Sequence, residues 1–270
     1  MHRIIFHFGN ITLYSYGLMQ AIGFLASLFV IFQLSKKSKI SKDILFDLSV
    51  WVIIGGIIGA RIWFVVENFN IYKDDLLSII KIWEGGMVFY GGFIGGVISG
   101  IVYIRRNHLD LLKVGDIFMT SFPLGIFFGR IGCFLNGCCY GKISETFGLR
   151  FPRENFPPPY QEQLEKGLIK PDACCSLPVI PTQLIESFTM LIVFFILYYL
   201  YNRKKFFDGF IFYSFFIIYG IERFLVDFLR EYSKNALVFK TFSLSQITSF
   251  LIILFSSILL FSTYKKSKKV

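Results

Sequence analysis

The run Gly129-Arg130-Ile131-Gly132-Cys133-Phe134-Leu135-Asn136-Gly137-Cys138-Cys139-Tyr140-Gly141 sets a guanidinium at the end of an apolar segment. An amide, three thiols and a phenol follow it. A charge at membrane depth costs about 2.5–3.5 kcal/mol even on a lenient insertion scale, so it normally has an anion or a cavity to meet. The glycines let backbone approach a ligand closely. These features point to an anionic ligand at the membrane interface, such as a phospholipid head group.

Three more arginines lie in or beside apolar segments: Arg61, Arg223 and Arg230. Arg223, Asp227 and Arg230 follow i, i+4, i+7 spacing and are expected on one helix face. A guanidinium grips phosphate through two parallel hydrogen bonds and keeps its charge at any working pH. Arg130 and Arg223 are therefore read as a phosphate clamp, with Asn136 positioning the head group and Asp227 and Arg230 orienting Arg223. The alternative is structural ion pairing, Arg223 with Asp227 or Arg61 with Glu67, and it is the preferred reading for Arg61. Asp116 suits a helix start and is read as structural. Gln183 and Glu186 follow Pro181-Thr182 at another helix start and are read as orienting other groups. His2, His7 and His108 stand in no motif, which argues against a histidine base.

The five cysteines, 133, 138, 139, 174 and 175, admit three readings. Extracytoplasmic thiols usually oxidise, and neighbours in sequence bridge each other poorly. Disulfides between the pair Cys138, Cys139 and the pair Cys174, Cys175 thus come first, with Cys133 left free. A metal site comes second, because Cys-x4-Cys-Cys matches the common zinc spacings poorly. A catalytic thiol comes third. No metal and no cofactor is expected.

The elements that must position these groups are membrane helices. Of the 270 residues, 54% are hydrophobic and 17% charged, against about 25% charged in soluble domains. Mean hydropathy is +0.61. Several apolar runs reach the roughly 20 residues a hydrocarbon core requires. The fold expected is an all-α integral membrane protein with about seven transmembrane helices, at 12–34, 44–66, 85–104, 114–133, 182–201, 209–228 and 244–263. The net charge of +10 sits in short runs, Lys36 to Lys42, Arg105-Arg106, Arg203 to Lys205 and Lys265 to Lys269. These follow alternate spans, as the positive-inside rule expects of cytoplasmic loops. Topology thus accounts for the charge without nucleic acid, with the N-terminus outside and the C-terminus in the cytoplasm. The first apolar run reads as a retained span and not a cleaved signal. The segment 134–181 is the one long polar insertion, too small for an independent core, and is expected to form a loop-rich external cap on a single membrane domain, 1–270. Gly95, Gly96 and Gly100 suit helix packing, whereas Gly85-Gly86 and Gly91-Gly92 look like a turn or broken helix at the external rim.

These residues resemble the bacterial prolipoprotein diacylglyceryl transferase family. Its signature, G-R-x-G-N-F-x-N-x-E-x-x-G, is met at Gly129, Arg130, Gly132, Phe134, Asn136 and Gly141. Tyr16-Gly17-Leu18-Met19, Gly55-Gly56 through Arg61, Trp83 through Met87 with Phe89-Tyr90-Gly91-Gly92, Pro181-Thr182-Gln183-Leu184 with Glu186, and Arg223, Asp227 and Arg230 resemble its other motifs. The resemblance implies an inner-membrane enzyme that moves the diacylglyceryl group of phosphatidylglycerol onto the lipobox cysteine of a prolipoprotein and releases glycerol phosphate. It implies catalytic roles for Arg130, Arg223 and Tyr90 and substrate contacts at Tyr16, Gly91 and Gly92. Three positions depart from the family pattern: its histidine is Tyr90, its asparagine Cys133 and its glutamate Cys138. Either the chemistry is unchanged, or the acceptor or its activation differs. A thiol near pKa 8.5 could be drawn toward thiolate by Arg130 and Arg223 without a strong base. The competing classes are a membrane thiol–disulfide oxidoreductase, a phospholipid-dependent transferase with another acceptor, and a transporter. The oxidoreductase leaves the arginines unexplained, and irregular segments gathered at one face disfavour the transporter.

Overall fold

The computed structural model describes residues 3–8, 11–73, 75–81, 85–154, 156–230, 237–238 and 242–268. His2, Asp74, Trp83 and Glu84 lie outside the described residues. The chain opens with an antiparallel hairpin, β1 (Ile4–Phe8) and β2 (Ile11–Tyr14). The long helices are α1 (Ser15–Ser38), α2 (Lys42–Glu67), α4 (Phe89–Arg106), α5 (Leu111–Asn136), α7 (Thr182–Arg203), α8 (Phe210–Asp227) and α9 (Leu244–Ser267). Each overlaps an expected span. Two short helices, α3 (Phe69–Tyr72) and α6 (Pro158–Glu165), a 3-10 helix over Leu76–Ile80, and a second hairpin, β3 (Leu237–Val238) with β4 (Phe242–Ser243), complete the elements among the described residues.

Among the described residues, five helices are long and apolar enough to cross a membrane: α1, α2, α5, α7 and α9. The other two long helices, α4 and α8, have 18 residues each. That is the short end of what a hydrocarbon core takes, and α8 also carries Glu222, Arg223 and Asp227.

Local chemistry fixes several helix ends. Ser243 and Gln246 form a reciprocal capping box at the start of α9. The Asp110 carboxylate accepts from the Lys113 amide at 2.7 Å at the start of α5. Asp116 was expected to serve its own helix start. Instead its fully buried carboxylate accepts from the amides of Gly209 and Phe212, both at 2.8 Å, and meets Lys205 Nζ at 3.0 Å. It therefore caps α8 from a distance.

The chain forms two compact units, one of Ile31–Val114 and one of Met1–Val30 with Gly115–Val270. In the Ile31–Val114 unit, α2 packs on α4 glycine against glycine. A Cβ at Gly59 would stand 2.3 Å from the Gly91 carbonyl oxygen, and one at Gly95 would stand 2.3 Å from that of Gly55. Such contact lets two backbones meet and gather dispersion energy. Gly91 and Gly92 thus belong to the interior of α4, not to a turn. Gly85 and Gly86 do turn the chain, with φ of +87° and +77°.

Arg61 lies in the same unit and does not pair with Glu67, which accepts from Trp63 Nε1 at 2.7 Å. The Arg61 guanidinium binds carbonyl oxygens instead: Ile79 at 2.7 Å, Ser78 at 2.7 Å and Gly85 at 2.6 Å. Ser78 and Ile79 belong to the 3-10 helix Leu76–Ile80 and Gly85 to the turn beyond it, and five fixed donors can gather carbonyls from both. Arg61 is a loop clamp.

In the other unit, Ser187 Oγ of α7 donates to the Phe127 carbonyl of α5 at 3.1 Å. Gly220 admits Ile253, so α8 and α9 approach closely. The insertion 134–181 is loop-rich beyond the end of α5, with α6 as its short helix. Isolated bridges such as Leu149 to Val179 cross it, and Phe151 and Tyr160 are fully buried within it. The Tyr160 hydroxyl donates to the Pro171 and Ala173 carbonyls.

Candidate active site

One buried carboxylate organises the site. Glu186 lies one turn into α7, its side chain 2% exposed. Arg130 Nη2, near the end of α5, reaches Glu186 Oε2 at 2.6 Å. Arg230 Nη2 donates to Oε1 at 3.0 Å, and Arg223 Nη1 stands 3.9 Å from the same oxygen. Arg223 also meets Asp227 Oδ1 at 3.4 Å, and Ser243 Oγ donates a short hydrogen bond to Asp227 Oδ2. The three arginine side chains are 19%, 16% and 18% exposed, so each backs onto Glu186 and keeps a face toward solvent.

The arginines are not used up by these contacts. Each guanidinium carries five N–H donors. Among the described residues, Arg223 Nη1 and Arg230 Nε are buried without a hydrogen-bond partner, as is the acceptor Gln183 Oε1. Buried polar atoms normally find partners, so the cluster offers donors arranged for an anion.

Arg230 differs from its sequence reading. Helix α8 ends at Asp227, and Arg230 follows in a turn whose amide bonds the Asp227 carbonyl at 3.1 Å. The turn, not a shared helix face, brings it back to Glu186. Its side chain joins the cluster as a third arginine on Glu186.

A cysteine turn adjoins the arginines. Gly137 takes a left-handed φ of +79° just past α5. Its amide bonds the Phe134 carbonyl, and the Cys138 amide bonds that of Cys133, both at 3.1 Å. These two bonds make a Schellman cap, which folds Cys138 back over Cys133. Cys139, at φ +63°, brings in the third thiol, and the three Sγ atoms lie within 4.8 Å of one another. The start of α7 secures the turn: Thr182 Oγ1 donates to the Cys139 carbonyl and Gln183 Nε2 to that of Cys138, both at 2.7 Å. Hydrogen bonds from Cys133 and Cys138 hold the Cys139 thiol well below its ordinary pKa. Burial opposes this, and the charges of Arg130 and Arg230 reinforce it. The Asn136 side chain is within hydrogen-bonding reach of the Cys138 thiol. Tyr16 packs on Gly132, and its hydroxyl accepts from Gln20 Nε2 at 2.9 Å.

The expected disulfides between the two cysteine pairs are absent, and all five cysteines are free thiols. The Schellman cap commits Cys138 and Cys139 to Cys133, while Cys174 and Cys175 face each other with Sγ atoms 3.2 Å apart.

The profile of the prolipoprotein diacylglyceryl transferase family matches residues 3–262. This chain belongs to that family. A phosphatidylglycerol–prolipoprotein diacylglyceryl transferase of Clostridium tetani is 35% identical over 232 residues, 85% of this chain and 86% of the relative. The Finegoldia magna protein of that name is 31% identical over 266 residues, 98% of this chain and 97% of the relative. A third, from Geobacter sulfurreducens, is 29% identical over 255 residues, 92% and 89% of the two chains.

Within this member of the family, the structure groups Arg130, Arg223, Arg230, Asp227, Glu186, Gln183, Asn136 and Tyr16 in one unit. Tyr90, Gly91 and Gly92 fall in the other unit. There Tyr90 is 68% exposed on the first turn of α4, Gly91 is buried against Gly59 and Trp63, and Gly92 lies against Gly56 and Ala60. Helix packing accounts for both glycines. Sequence reasoning missed Thr182 as the anchor of the cysteine turn and the convergence of the three thiols. Gly137 just past an apolar helix was the signal available for that cap.

Proposed function

We propose that this chain transfers the diacylglyceryl group of phosphatidylglycerol to the lipobox cysteine thiol of prolipoproteins and releases glycerol phosphate. The observation that carries the reading is the triple-arginine cluster on Glu186, in which Arg223 Nη1 and Arg230 Nε have no hydrogen-bond partner among the described residues. The relatives from Clostridium tetani and Finegoldia magna are named for the two substrates, phosphatidylglycerol and prolipoprotein. The lipid phosphate takes the donors of Arg130, Arg223 and Arg230. Glu186 and Asp227 hold those guanidiniums in place. The acceptor thiolate attacks the glycerol carbon bearing the phosphate ester, the S–C bond forms, and the C–O bond breaks. Glycerol phosphate leaves with the electron pair, and the thiol proton passes to solvent. Negative charge grows on the departing phosphate, so fixed guanidiniums lower the barrier as well as bind the ground state.

The seven long helices cross the bacterial inner membrane with the N-terminus external, 134–181 external and the C-terminus cytoplasmic. The basic residues closing α1, α4, α7 and α9 support this orientation. The test is direct: purified protein, phosphatidylglycerol vesicles and a lipobox peptide, with mass analysis of the peptide. A diacylglyceryl mass increment on the cysteine is expected. An unmodified peptide under conditions that support a family relative would reject the reading.

A further inference from the structure

The thiol cluster does something the arginine cluster does not. Cys133, Cys138 and Cys139 hold their Sγ atoms within 4.8 Å of one another. A tetrahedral ion with bonds of about 2.3 Å to sulfur sets its sulfurs about 3.8 Å apart. Rotamer adjustments of about 1 Å therefore suffice to close the site. The sequence spacing argued against a metal only because it ignored the Schellman cap, which brings residues five apart into contact.

Several observations say that this is a built site. Two side chains of α7 tie down the carbonyls of Cys138 and Cys139. Cys139 keeps a left-handed φ that non-glycine residues rarely adopt. Three thiolates and a divalent cation carry one net negative charge, and Arg130 and Arg230 stand close enough to balance it. Three protein ligands leave one position of a tetrahedron for water or substrate, the arrangement of a catalytic zinc and not a structural one.

We propose that Cys133, Cys138 and Cys139 bind a thiophilic divalent cation, zinc by their donor set, whose fourth position takes the acceptor thiol as thiolate. The second half of this statement rests on the transferase reading above. A thiol coordinated to such an ion is deprotonated outright, so the reaction needs no histidine base. The ion keeps its charge and oxidation state. The acceptor S–H proton goes to solvent, the sulfur forms its bond to the glycerol carbon, and the C–O bond to phosphate breaks with its electrons leaving on glycerol phosphate. The nucleophile is then delivered beside the arginines that hold the phosphate, because Arg130 precedes Cys133 by three residues on α5.

The experiment uses full-length protein in detergent, purified under reducing conditions. Elemental analysis should find about one zinc per chain. Cobalt replacement should give a sulfur-to-cobalt charge-transfer absorption, which a lipobox peptide shifts and the same peptide with Ser for Cys does not. Cys138→Ser and Cys139→Ser should each lose the metal, whereas Cys174→Ser should keep it. Chelator treatment should cut transfer about tenfold or more, restored by zinc. No bound metal, or metal retained in both variants, overturns the site. An unshifted cobalt spectrum, or full transfer by protein shown to be metal-free, overturns its role toward the thiol. Metal loading and the peptide shift are read without turnover. If both hold and the loaded protein still transfers nothing, the transferase reading fails and the metal site stands.

Discussion

Arg130 and Glu186 meet at 2.6 Å across two helices, and the same carboxylate holds Arg230 at 3.0 Å. One buried charge thus sets the positions of guanidiniums from α5 and from the turn after α8. Removing one partner from a buried ion network costs about 3–5 kcal/mol, because the survivors remain buried and unpaired. Glu186→Gln should lower the unfolding temperature in detergent and abolish transfer together. Glu186→Asp should keep most of the stability and still lose activity, because the shorter side chain displaces the arginines. Thermal unfolding and peptide modification on the same samples check both.

Arg130→Lys and Arg223→Lys retain charge and lose the planar, two-pronged grip. Each should cut transfer by about tenfold or more, equivalent to about 1.4 kcal/mol of barrier. Near-normal rates in both, at matched expression and lipid concentration, would sink the phosphate clamp.

The glycine contact between α2 and α4 makes an independent prediction. A methyl at Gly59 would sit 2.3 Å from a backbone oxygen of Gly91, which cannot rotate away. Gly59→Ala should destabilise the protein by about 1–3 kcal/mol. Gly17→Ala is the control, since nothing stands within 4 Å of its new methyl. Equal thermal stability of the two variants would contradict the packing.

Arg61 holds the carbonyls of Ser78, Ile79 and Gly85. Arg61→Met removes every guanidinium donor to these carbonyls, and each acceptor left unpaired costs about 1–3 kcal/mol where it is buried. Hydrogen exchange should quicken across 76–88 and stay unchanged in α8 and α9. Uniform acceleration would mean that Arg61 supports more than its loop.

Cysteine labelling from either side of the membrane tests the orientation. Lys166→Cys should react with an impermeant reagent from outside, and Lys268→Cys only after permeabilisation. Both sites reacting on the same side would remove the seven-span arrangement.

The sequence by itself determined the membrane class and the helix limits to within a few residues. These are local properties: a run of apolar side chains long enough for the bilayer, basic residues at its end, an arginine where none is cheap. It also carried the family, through motifs whose order survives along the chain. Only the tertiary structure decided how those residues combine. Arg61 could pair with Glu67 by spacing, and loop carbonyls took it instead. Gly91 and Gly92 read as a turn, yet Gly59 and Gly56 on another helix give them their use. Arg230 fell on the right helix face by count, but its helix stops three residues earlier and a turn delivers it. The cysteines looked like partners for a distant pair until the cap after Asn136 folded Cys138 onto Cys133. In each case the deciding partner is a backbone group or a distant segment. Spacing along one element cannot reveal it, because only packing chooses which of several acceptable contacts is made.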